Sequence, residues 1–397
     1  MNAYEPKVKE IPRQTRIDIP ETGNLHFALR NPKSPLPIIR SLFALIVVLA
    51  FLAPSWRSFE RSSSSASLSA PARQPEWAAQ SSGALAKLSG VFFVDRDHGW
   101  VAGSNGTLLA TEDGGAKWLR QTLPERQRNE ALNDIWFFNS GRGLLLGEYG
   151  LFNRRGDIDW SEKVFLMTSK DRGANWEAGT LRRPPVTILL RMYFANDQIG
   201  WAVGEAGTIQ RTIDGGATWG LQEGPTRKLL NDVAAIDESN AWAVGAGGTI
   251  LRTVDGGRNW DEQSSGGAQA LRAVHFVDSQ RGWAVGAKGT IISTVNGGLR
   301  WRRQTSGVEL NLNDVVFLNA KEGLGKGPRE GPGEGPREGW IAGDRGLLLH
   351  TNDGGATWEN VELSARGNLS RLFFIAPDCG WVVGTSGAIF KYGRTSK

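Results

Sequence analysis

Residues 200–219 read GWAVGEAGTIQRTIDGGATW, and this stretch decides the fold because it returns almost unchanged at 241–260 and 282–301. Its second half fits the pattern Ser/Thr-x-Asp-x-Gly-x-x-Trp, which we call an Asp-box. The chain holds six Asp-boxes, whose third positions are Asp113, Asp171, Asp214, Asp255, Asn296 and Asp353. The tryptophans that end them are 58, 43, 41, 41 and 57 residues apart, so the basic period is about 41 residues.

A second signature, Gly/Ala-Trp-x-x-Gly-x-x-Gly, gives the number of repeats. It occurs six times, and a seventh copy at 144–150 has leucine in place of tryptophan. With the apolar run before it, the Asp-box and the run after the box, each unit holds four short strands separated by Gly and Asx turns. Units of about 40 to 45 residues with four strands are typical of propeller blades. The sequence therefore predicts an all-β, seven-bladed β-propeller, with the signature tryptophans packed between blades.

The seventh unit stops after three strands, which would leave an open edge. Four of the other fourth strands begin Trp-x-x-Gln, and this pattern also occurs once before the first unit, at Trp77 and Gln80. We therefore expect residues 76–82 to supply the missing strand and to close a propeller that spans 76–397.

Composition excludes several classes of protein. One cysteine among 397 residues excludes an intramolecular disulfide framework and a multi-thiolate metal site, and four histidines leave little for a zinc site or a catalytic triad. The net charge of +5 is spread along the chain and is not a nucleic-acid footprint. We expect no catalytic residue, metal, cofactor, nucleic acid or small-molecule substrate.

The segments outside the blades are interpreted from composition. Residues 1–36 are polar and predict a disordered cytoplasmic tail. Residues 37–56 hold an apolar run that predicts one hydrophobic helix, an uncleaved transmembrane signal anchor; a cleaved signal peptide and a buried helix are the alternatives. Residues 57–75 form a Ser/Ala/Pro linker, and the Gly-rich stretch 323–339 is a disordered loop insertion. The propeller is then expected on the extracytoplasmic side, periplasmic or lumenal.

The pattern GWAVG-x-x-GTI-x-x-T-x-DGG-x-x-W resembles the Asp-box (BNR) β-propeller family of photosystem II stability and assembly factors. The resemblance covers about residues 77–393. It implies a non-enzymatic chaperone for early reaction-centre intermediates, located on the lumenal or extracytoplasmic side. It also implies an arginine-rich surface patch as the functional feature.

Candidate partner-binding residues come from the first strands, which line the central channel of a propeller. Aligning these strands brings Asp134, Asp232 and Asp314 to one level with Arg191 and Arg371, and Arg272 lies one position earlier. The resemblance makes the three arginines candidates for the patch. Alternatively, the aspartates cap local turns and pair with the arginines.

A second set of equivalent positions just before the Asp-boxes adds a basic sector. It holds Ala110, Met167, Arg211, Arg252, Ser293, His350 and Lys391. Arginine binds carboxylates bidentately, so Arg211, Arg252 and Lys391 are candidates to hold a partner's C-terminus. The Asp-boxes themselves are interpreted as structural turns, in which Asp and Ser/Thr bond backbone amides.

Two other functions stay open beside the membrane-anchored assembly scaffold. The first is a generic envelope interaction module in a bacterium without photosynthesis. The second is a sialidase-like glycosidase, because Asp-boxes also occur in those enzymes. Tyr149 follows Glu148, as a tyrosine nucleophile and its partner would, but both residues lie in a repeat turn, so the pair is interpreted as incidental.

Overall fold

The computed structural model describes residues 76–150, 163–181, 187–318 and 337–393. These residues form seven four-stranded antiparallel sheets, which confirms the all-β, seven-bladed prediction. The expected tail, hydrophobic helix and linker at 1–75 lie outside the described residues, as does most of the predicted insertion at 323–339. In the described part of the chain, no helix has the length and hydrophobicity to cross a membrane.

The strands follow the order of the chain, apart from the first. That strand is β1 (Glu76–Gln80). Blade 1 contains β2 (Leu88–Phe93), β3 (Gly99–Gly103), β4 (Thr107–Thr111) and β5 (Leu119–Arg120). Blade 2 contains β6 (Ala131–Phe137), β7 (Gly143–Glu148), β8 (Val164–Ser169) and β9 (Glu177–Ala178). Blade 3 contains β10 (Leu189–Phe194), β11 (Gly200–Gly204), β12 (Ile209–Thr212) and β13 (Gly220–Gln222).

The other four blades repeat this arrangement. Blade 4 contains β14 (Leu230–Ala235), β15 (Ala241–Gly245), β16 (Ile250–Thr253) and β17 (Asp261–Gln263). Blade 5 contains β18 (Leu271–Phe276), β19 (Gly282–Gly286), β20 (Ile291–Thr294) and β21 (Arg302–Gln304). Blade 6 contains β22 (Leu312–Leu318), β23 (Glu338–Gly343), β24 (Leu348–Thr351) and β25 (Glu359–Asn360). Blade 7 contains β26 (Leu369–Ala376), β27 (Cys379–Gly384) and β28 (Ile389–Gly393).

The fourth strand of blade 7 is β1. It pairs antiparallel with β28, from Glu76 opposite Gly393 to Gln80 opposite Ile389. The indole of Trp77 lies 5.2 Å from the ring of Tyr392, and its centroid is 5.4 Å from that of Trp340 on blade 6. The sequence analysis expected a strand at 76–82 in this place, and the observed strand ends two residues earlier.

Burial explains the apolar composition of the second strands, three of which read Gly/Ala-Trp-Ala-Val-Gly. All five residues of β11, β15 and β19 are buried, since each lies between two neighbouring sheets. Their tryptophans pack between blades, as expected. Trp242 stacks on Phe276 of the next blade with centroids 3.6 Å apart, and Trp381 of blade 7 stacks on Phe93 of blade 1 at 3.4 Å. Aromatic packing therefore runs through the junction between the last blade and the first.

Candidate functional site

Seven equivalent positions on the first strands form a ring in the central channel, which we call the channel ring. Each follows directly after a shift in the register between the first and second strands, as expected for a β-bulge. Its members are Gly90, Asp134, Arg191, Asp232, Ala273, Asp314 and Arg371. The seven residues therefore occupy equivalent positions on the seven first strands, as the alignment of these strands predicted.

Arg371 on blade 7 joins two carboxylates of the channel ring. Its Nη1 lies 3.3 Å from Oδ1 of Asp314 and 3.6 Å from Oδ1 of Asp232. Burial lowers the pKa of Arg371, but the nearby carboxylates outweigh burial and raise it above its ordinary value. Burial raises the pKa of Asp232 to about 6 and raises that of Asp314, while Arg371 acts against both shifts. The ring is thus a buried charge network.

The aspartates of the channel ring tie neighbouring blades together. Each accepts a hydrogen bond through Oδ2 from a backbone N–H on the first strand of the next blade. The pairs are Met192 to Asp134 at 3.0 Å, Val274 to Asp232 at 3.0 Å and Leu372 to Asp314 at 2.7 Å. The expected pairing with arginine occurs at Asp232 and Asp314. The aspartates were also expected to cap local turns. Their Oδ2 atoms instead accept these hydrogen bonds from the next blade, because the first strand of that blade lies within hydrogen-bond distance.

The asparagines that precede these aspartates complete the junction. Each donates from Nδ2 to a backbone carbonyl of the next blade. The pairs are Asn133 to Leu189 at 3.1 Å, Asn231 to Leu271 at 2.7 Å and Asn313 to Leu369 at 2.7 Å. The tripeptide Leu-Asn-Asp at 132–134, 230–232 and 312–314 is therefore a clamp between blades 2 and 3, 4 and 5, and 6 and 7.

The other two arginines of the predicted patch bond to groups of the first strands. Nη1 of Arg191 donates to the backbone carbonyls of Asn133 at 2.6 Å and Leu190 at 3.3 Å. Burial, and then the charge of Arg371, lower the pKa of Arg191. Arg272 donates from Nη1 to Oδ1 of Asn313 at 2.5 Å. The structure thus brings Arg371 together with the aspartates and directs the other two to neighbouring strands.

The basic residues before the Asp-boxes lie over the tryptophans of their own blades. Arg211, Arg252 and Lys391 approach the indole centroids of Trp201, Trp242 and Trp381 at 5.4, 5.5 and 5.3 Å. These are cation–π distances. All three are half-buried, and Nη2 of Arg211 also reaches the backbone carbonyl of Glu238 on the next blade at 3.3 Å.

One member of this set needs correction. The sequence alignment put Met167 at this level in blade 2, but the register pairs Leu144 with Thr168. Leu144 stands where the other blades have the signature tryptophan, so Thr168 is the equivalent residue. A slip of one residue moves a side chain to the opposite face of a strand, and Met167 is accordingly buried in the core.

A cavity of about 400 Å³ lies in the channel beside the ring, and residues of all seven first strands line it. Four aromatic rings form one side of it, on blades 7, 1, 2 and 3: Phe373, Phe92, Trp136 and Tyr193. Neighbouring ring centroids are 4.9 to 5.4 Å apart. Burial raises the pKa of Tyr193 to about 12, so its hydroxyl keeps its proton.

Sequence reasoning missed this aromatic wall, although a signal was present. Each aromatic residue stands two positions after a member of the channel ring, and side chains two apart on a strand share a face. The same level holds Ala234, His275 and Val316 on blades 4, 5 and 6. Counting two residues on from the ring would have placed these side chains in the channel.

The six Asp-boxes share one hydrogen-bond pattern. In the first, the hydroxyl of Thr111 donates to Oδ1 of Asp113 at 2.8 Å and accepts from the N–H of Gly115 at 2.8 Å. The N–H of Lys117 donates to the same carboxylate at 2.9 Å. These bonds lower the pKa of Asp113, and equivalent bonds lower the pKa of Asp255 and Asp353 to about 2. The boxes use their polar groups within the turn.

The candidate glycosidase pair makes other contacts. Oη of Tyr149 accepts a hydrogen bond from Gln127 at 2.9 Å, and Oε2 of Glu148 accepts one from Asn133 at 3.3 Å. Among the residues that the structure describes, no group of three or more His, Cys, Asp or Glu side chains is arranged to hold a metal ion.

Comparison with known proteins gives curated relatives with short matches. One is the photosystem II assembly lipoprotein Ycf48 of Trichormus variabilis, 45% identical over 56 residues, which are 13% of this chain and 16% of the relative. Another is its namesake in a Synechococcus species, 29% identical over 132 residues, which are 32% of this chain and 34% of the relative. The chain thus spans about a third or less of the length of these relatives.

Solved structures share the fold over much greater lengths. The structure described as YCF48 bound to D1 peptide has a TM-score of 0.63 and 21% identity, and the match covers 82% of this chain and 97% of that one. A GH74 xyloglucanase from Xanthomonas campestris has a TM-score of 0.58 and 14% identity over 79% of this chain and 53% of its own. At these identities both matches show the propeller fold alone.

The family comparison covers more of the sequence. A family model described as photosynthesis system II assembly factor YCF48 matches residues 70–182 and 265–367, which together exceed half of the chain. The two matched segments include Asp-boxes and signature tryptophans from both halves of the propeller. This chain therefore belongs to the family of the photosynthesis system II assembly factor YCF48.

Proposed function

We propose that this chain is a non-enzymatic assembly factor for photosystem II that binds a peptide segment of a reaction-centre subunit. The observation that carries the proposal is the family match over more than half of the chain. The relatives named as photosystem II assembly proteins and the solved YCF48 with its D1 peptide support the same function. A D1-like segment is therefore the proposed partner.

The surface proposed for this peptide is a set of exposed residues on the Asp-box turns of blades 3, 4 and 5, which we call the Asp-box rim. Its apolar members are Ile213, Val254, Val295 and Leu299, whose side chains are 56% to 79% exposed. The second position of the box is Glu112, Lys170 and Asn352 in blades 1, 2 and 6. Apolar residues at exposed equivalent positions on three consecutive blades favour contact with another protein.

Cations accompany these apolar residues. Arg258 and Arg300 are exposed on the turns of blades 4 and 5, and Arg211 and Arg252 are half-buried beside them. Nε of Arg211 and Nε of Arg252 have no hydrogen-bond partner among the described residues. Their stacking on Trp201 and Trp242 holds the guanidinium groups in place, which reduces the entropy lost when a carboxylate binds.

Of the six basic candidates from the sequence, Arg211 and Arg252 are the ones that this proposal retains at the peptide site. Arg371 and Arg191 serve the buried network and the neighbouring first strands, and Arg272 is bonded to Asn313. Lys391 lies on blade 7, away from the exposed apolar residues of blades 3 to 5. The basic surface proposed here is thus a local sector of the propeller.

Titration of a fluorescent D1 peptide into the purified full chain tests this proposal. Replacing Arg211 and Arg252 together by Gln should weaken binding at least about tenfold, since a hydrogen bond to a charged group contributes about 1.5 to 3 kcal/mol. Replacing Arg227 and Arg345, exposed on the loops at the other end of the first strands, should leave the affinity unchanged. Equal affinity in both double variants would contradict the site, and no binding by the unmodified chain would contradict the D1 partner and favour a generic envelope module.

We also propose that the chain is anchored by residues 37–56, with its propeller outside the cytoplasm. The relatives named lipoproteins support a membrane-associated location. Protease added to intact spheroplasts should digest the propeller, whereas full protection would refute this topology. The non-enzymatic proposal is supported by the contacts of Tyr149 and Glu148, and hydrolysis of a fluorogenic sialoside would refute it.

A further inference from the structure

The central cavity has a chemical character that the assembly role does not use. Its charged lining residues are Asp134, Asp232, Asp314, Asp197 and Arg371, so four carboxylates face one guanidinium. Arg191 belongs to the channel ring but does not line the cavity, and its Nη1 is bonded to two backbone carbonyls. The charge of Arg191 nevertheless acts on Asp134, Asp232 and Asp314, so the balance is four carboxylates against two arginines, which still leaves an excess of negative charge.

Two carboxylate oxygens at one end of the cavity lack a hydrogen bond among the described residues. Asp134 and Asp232 are 4% and 5% exposed, and each uses Oδ2 for the backbone amide of the next blade. Oδ1 of Asp232 is 3.6 Å from Nη1 of Arg371, which is a salt-bridge distance but longer than a hydrogen bond, and Oδ1 of Asp134 forms neither a hydrogen bond nor an ion pair with the described residues. Neither Oδ1 belongs to the fully buried side-chain atoms that lack a partner among the described residues, so both retain surface on the channel and can accept a hydrogen bond from a ligand.

The ring nitrogens of His275 add a third polar group. The backbone N–H of Phe317 donates to Nδ1 at 3.0 Å, so the neutral imidazole carries its proton on Nε2. Burial lowers the pKa of His275 to about 4, which keeps the ring neutral near pH 7. His275 therefore adds no positive charge to the lining.

The aromatic wall of the cavity, like its carboxylates, is suited to bind a cation. Phe92, Trp136, Tyr193 and Phe373 stand side by side around more than half of the channel. Faces of aromatic rings attract ammonium groups, most strongly where water is excluded. The other end reaches the loops after the first strands, where Asn139 and Asp197 are exposed, so a slender chain has a way in.

We propose that the central cavity binds the protonated amine of a lysine side chain from a partner protein. The aliphatic part of the side chain lies along the aromatic wall, and the ammonium group donates hydrogen bonds to Oδ1 of Asp134 and Oδ1 of Asp232. A volume of about 400 Å³ lies within the range of ligand pockets and holds such a side chain with accompanying water. The site is separate from the Asp-box rim and does not depend on which complex the chain assembles.

Calorimetric titration of the full chain with Nα-acetyl-lysine methylamide tests the proposal, with Nα-acetyl-norleucine methylamide, which has the same four side-chain carbons but no ammonium group, as the neutral probe. A Kd on the order of 1 mM is expected for the lysine probe, as is usual for so small a ligand, and binding of the norleucine probe should be about tenfold weaker or absent. Equal binding of the two probes, or no binding of either, would overturn the proposal.

Isosteric variants locate the site. Asp134→Asn and Asp232→Asn each keep an oxygen that can accept the amide of the next blade but remove the charge, so each should weaken the lysine probe about tenfold. Asp261→Asn on the exposed strand β17 is the matched control and should not change the affinity. Melting curves identify any variant that fails to fold. If one of the two variants fails, the affinity of the other for the lysine probe decides whether the carboxylates bind it. A correctly folded Asp134→Asn or Asp232→Asn chain with unchanged affinity would place the lysine elsewhere.

Discussion

Replacing Gln80 by alanine tests whether β1 is as firmly docked as the strands of the continuous blades. Nε2 of Gln80 donates to the carbonyl of Gly114 at 3.0 Å, and its Oε1 accepts from the indole N–H of Trp118 at 3.3 Å. Each hydrogen bond contributes about 0.5 to 1.5 kcal/mol, so the variant should lose about 2 kcal/mol of unfolding free energy. At about 2 to 4 °C per kcal/mol, the Tm in scanning calorimetry should fall by about 4 to 8 °C.

The chain contains a matched control for this variant. Gln222 on β13 makes the same two bonds, to the carbonyl of Gly256 at 3.0 Å and from the indole N–H of Trp260 at 3.2 Å. Gln222→Ala should therefore destabilise the propeller by about the same amount as Gln80→Ala. If Gln222→Ala lowers the Tm and Gln80→Ala leaves it unchanged, β1 does not hold the propeller closed and the reasoning fails.

Two further predictions concern the channel. Asp314→Ala should lose about 3 to 5 kcal/mol in urea unfolding, because it leaves Arg371 with one fewer carboxylate, whereas Asp314→Asn, which can still accept from Leu372, should lose clearly less. Because the pKa of Asp232 is raised to about 6 in the folded chain, its contribution to stability falls as pH rises from 4 to 6. Because the pKa of His275 is lowered to about 4, its contribution to stability rises between pH 4 and 6.5. The raised pKa of Asp314 acts in the same direction as that of Asp232, and His275 opposes both. Asp232→Asn should therefore shift the slope of Tm against pH upwards relative to the unmodified chain in this window, and identical slopes in the two proteins would contradict the prediction.

The fold could be predicted because its determinants are local. The Asp-box closes its turn with hydrogen bonds between residues at most four positions apart, and the five-residue second strands are buried in every copy that reads Gly/Ala-Trp-Ala-Val-Gly. The six Asp-boxes, the seven copies of the second signature and the additional Trp-x-x-Gln before the first unit are visible in the sequence without any knowledge of long-range contacts. Counting them was enough to predict seven blades.

The site could be predicted only in part, because its contacts join residues far apart in the chain. The level of Asp232 and Arg371 follows from aligning first strands, but their 3.6 Å contact depends on how blades 4 and 7 face each other across the channel. The roles of the aspartates likewise depend on the neighbouring strand, since Asp134 bonds Met192, 58 residues later. Aligning the repeats shows which residues occupy equivalent positions on the first strands, but it does not show which side chains they contact.

The same distinction separates the basic residues that hold the propeller together from those left for a partner. Arg371 is committed to two carboxylates and Arg191 to two carbonyls, so their charges are already balanced or bonded within the fold. Groups that recur from blade to blade serve the repeat itself, as the bonds of the six Asp-boxes do. A partner must instead recognise positions where equivalent turns differ, because only those distinguish one sector of a sevenfold ring from another. The second position of the Asp-box is such a place, because Ile213, Val254 and Val295 stand where the Asp-boxes of other blades have charged or amide side chains. For this reason we assign the peptide to the Asp-box rim and not to the channel ring.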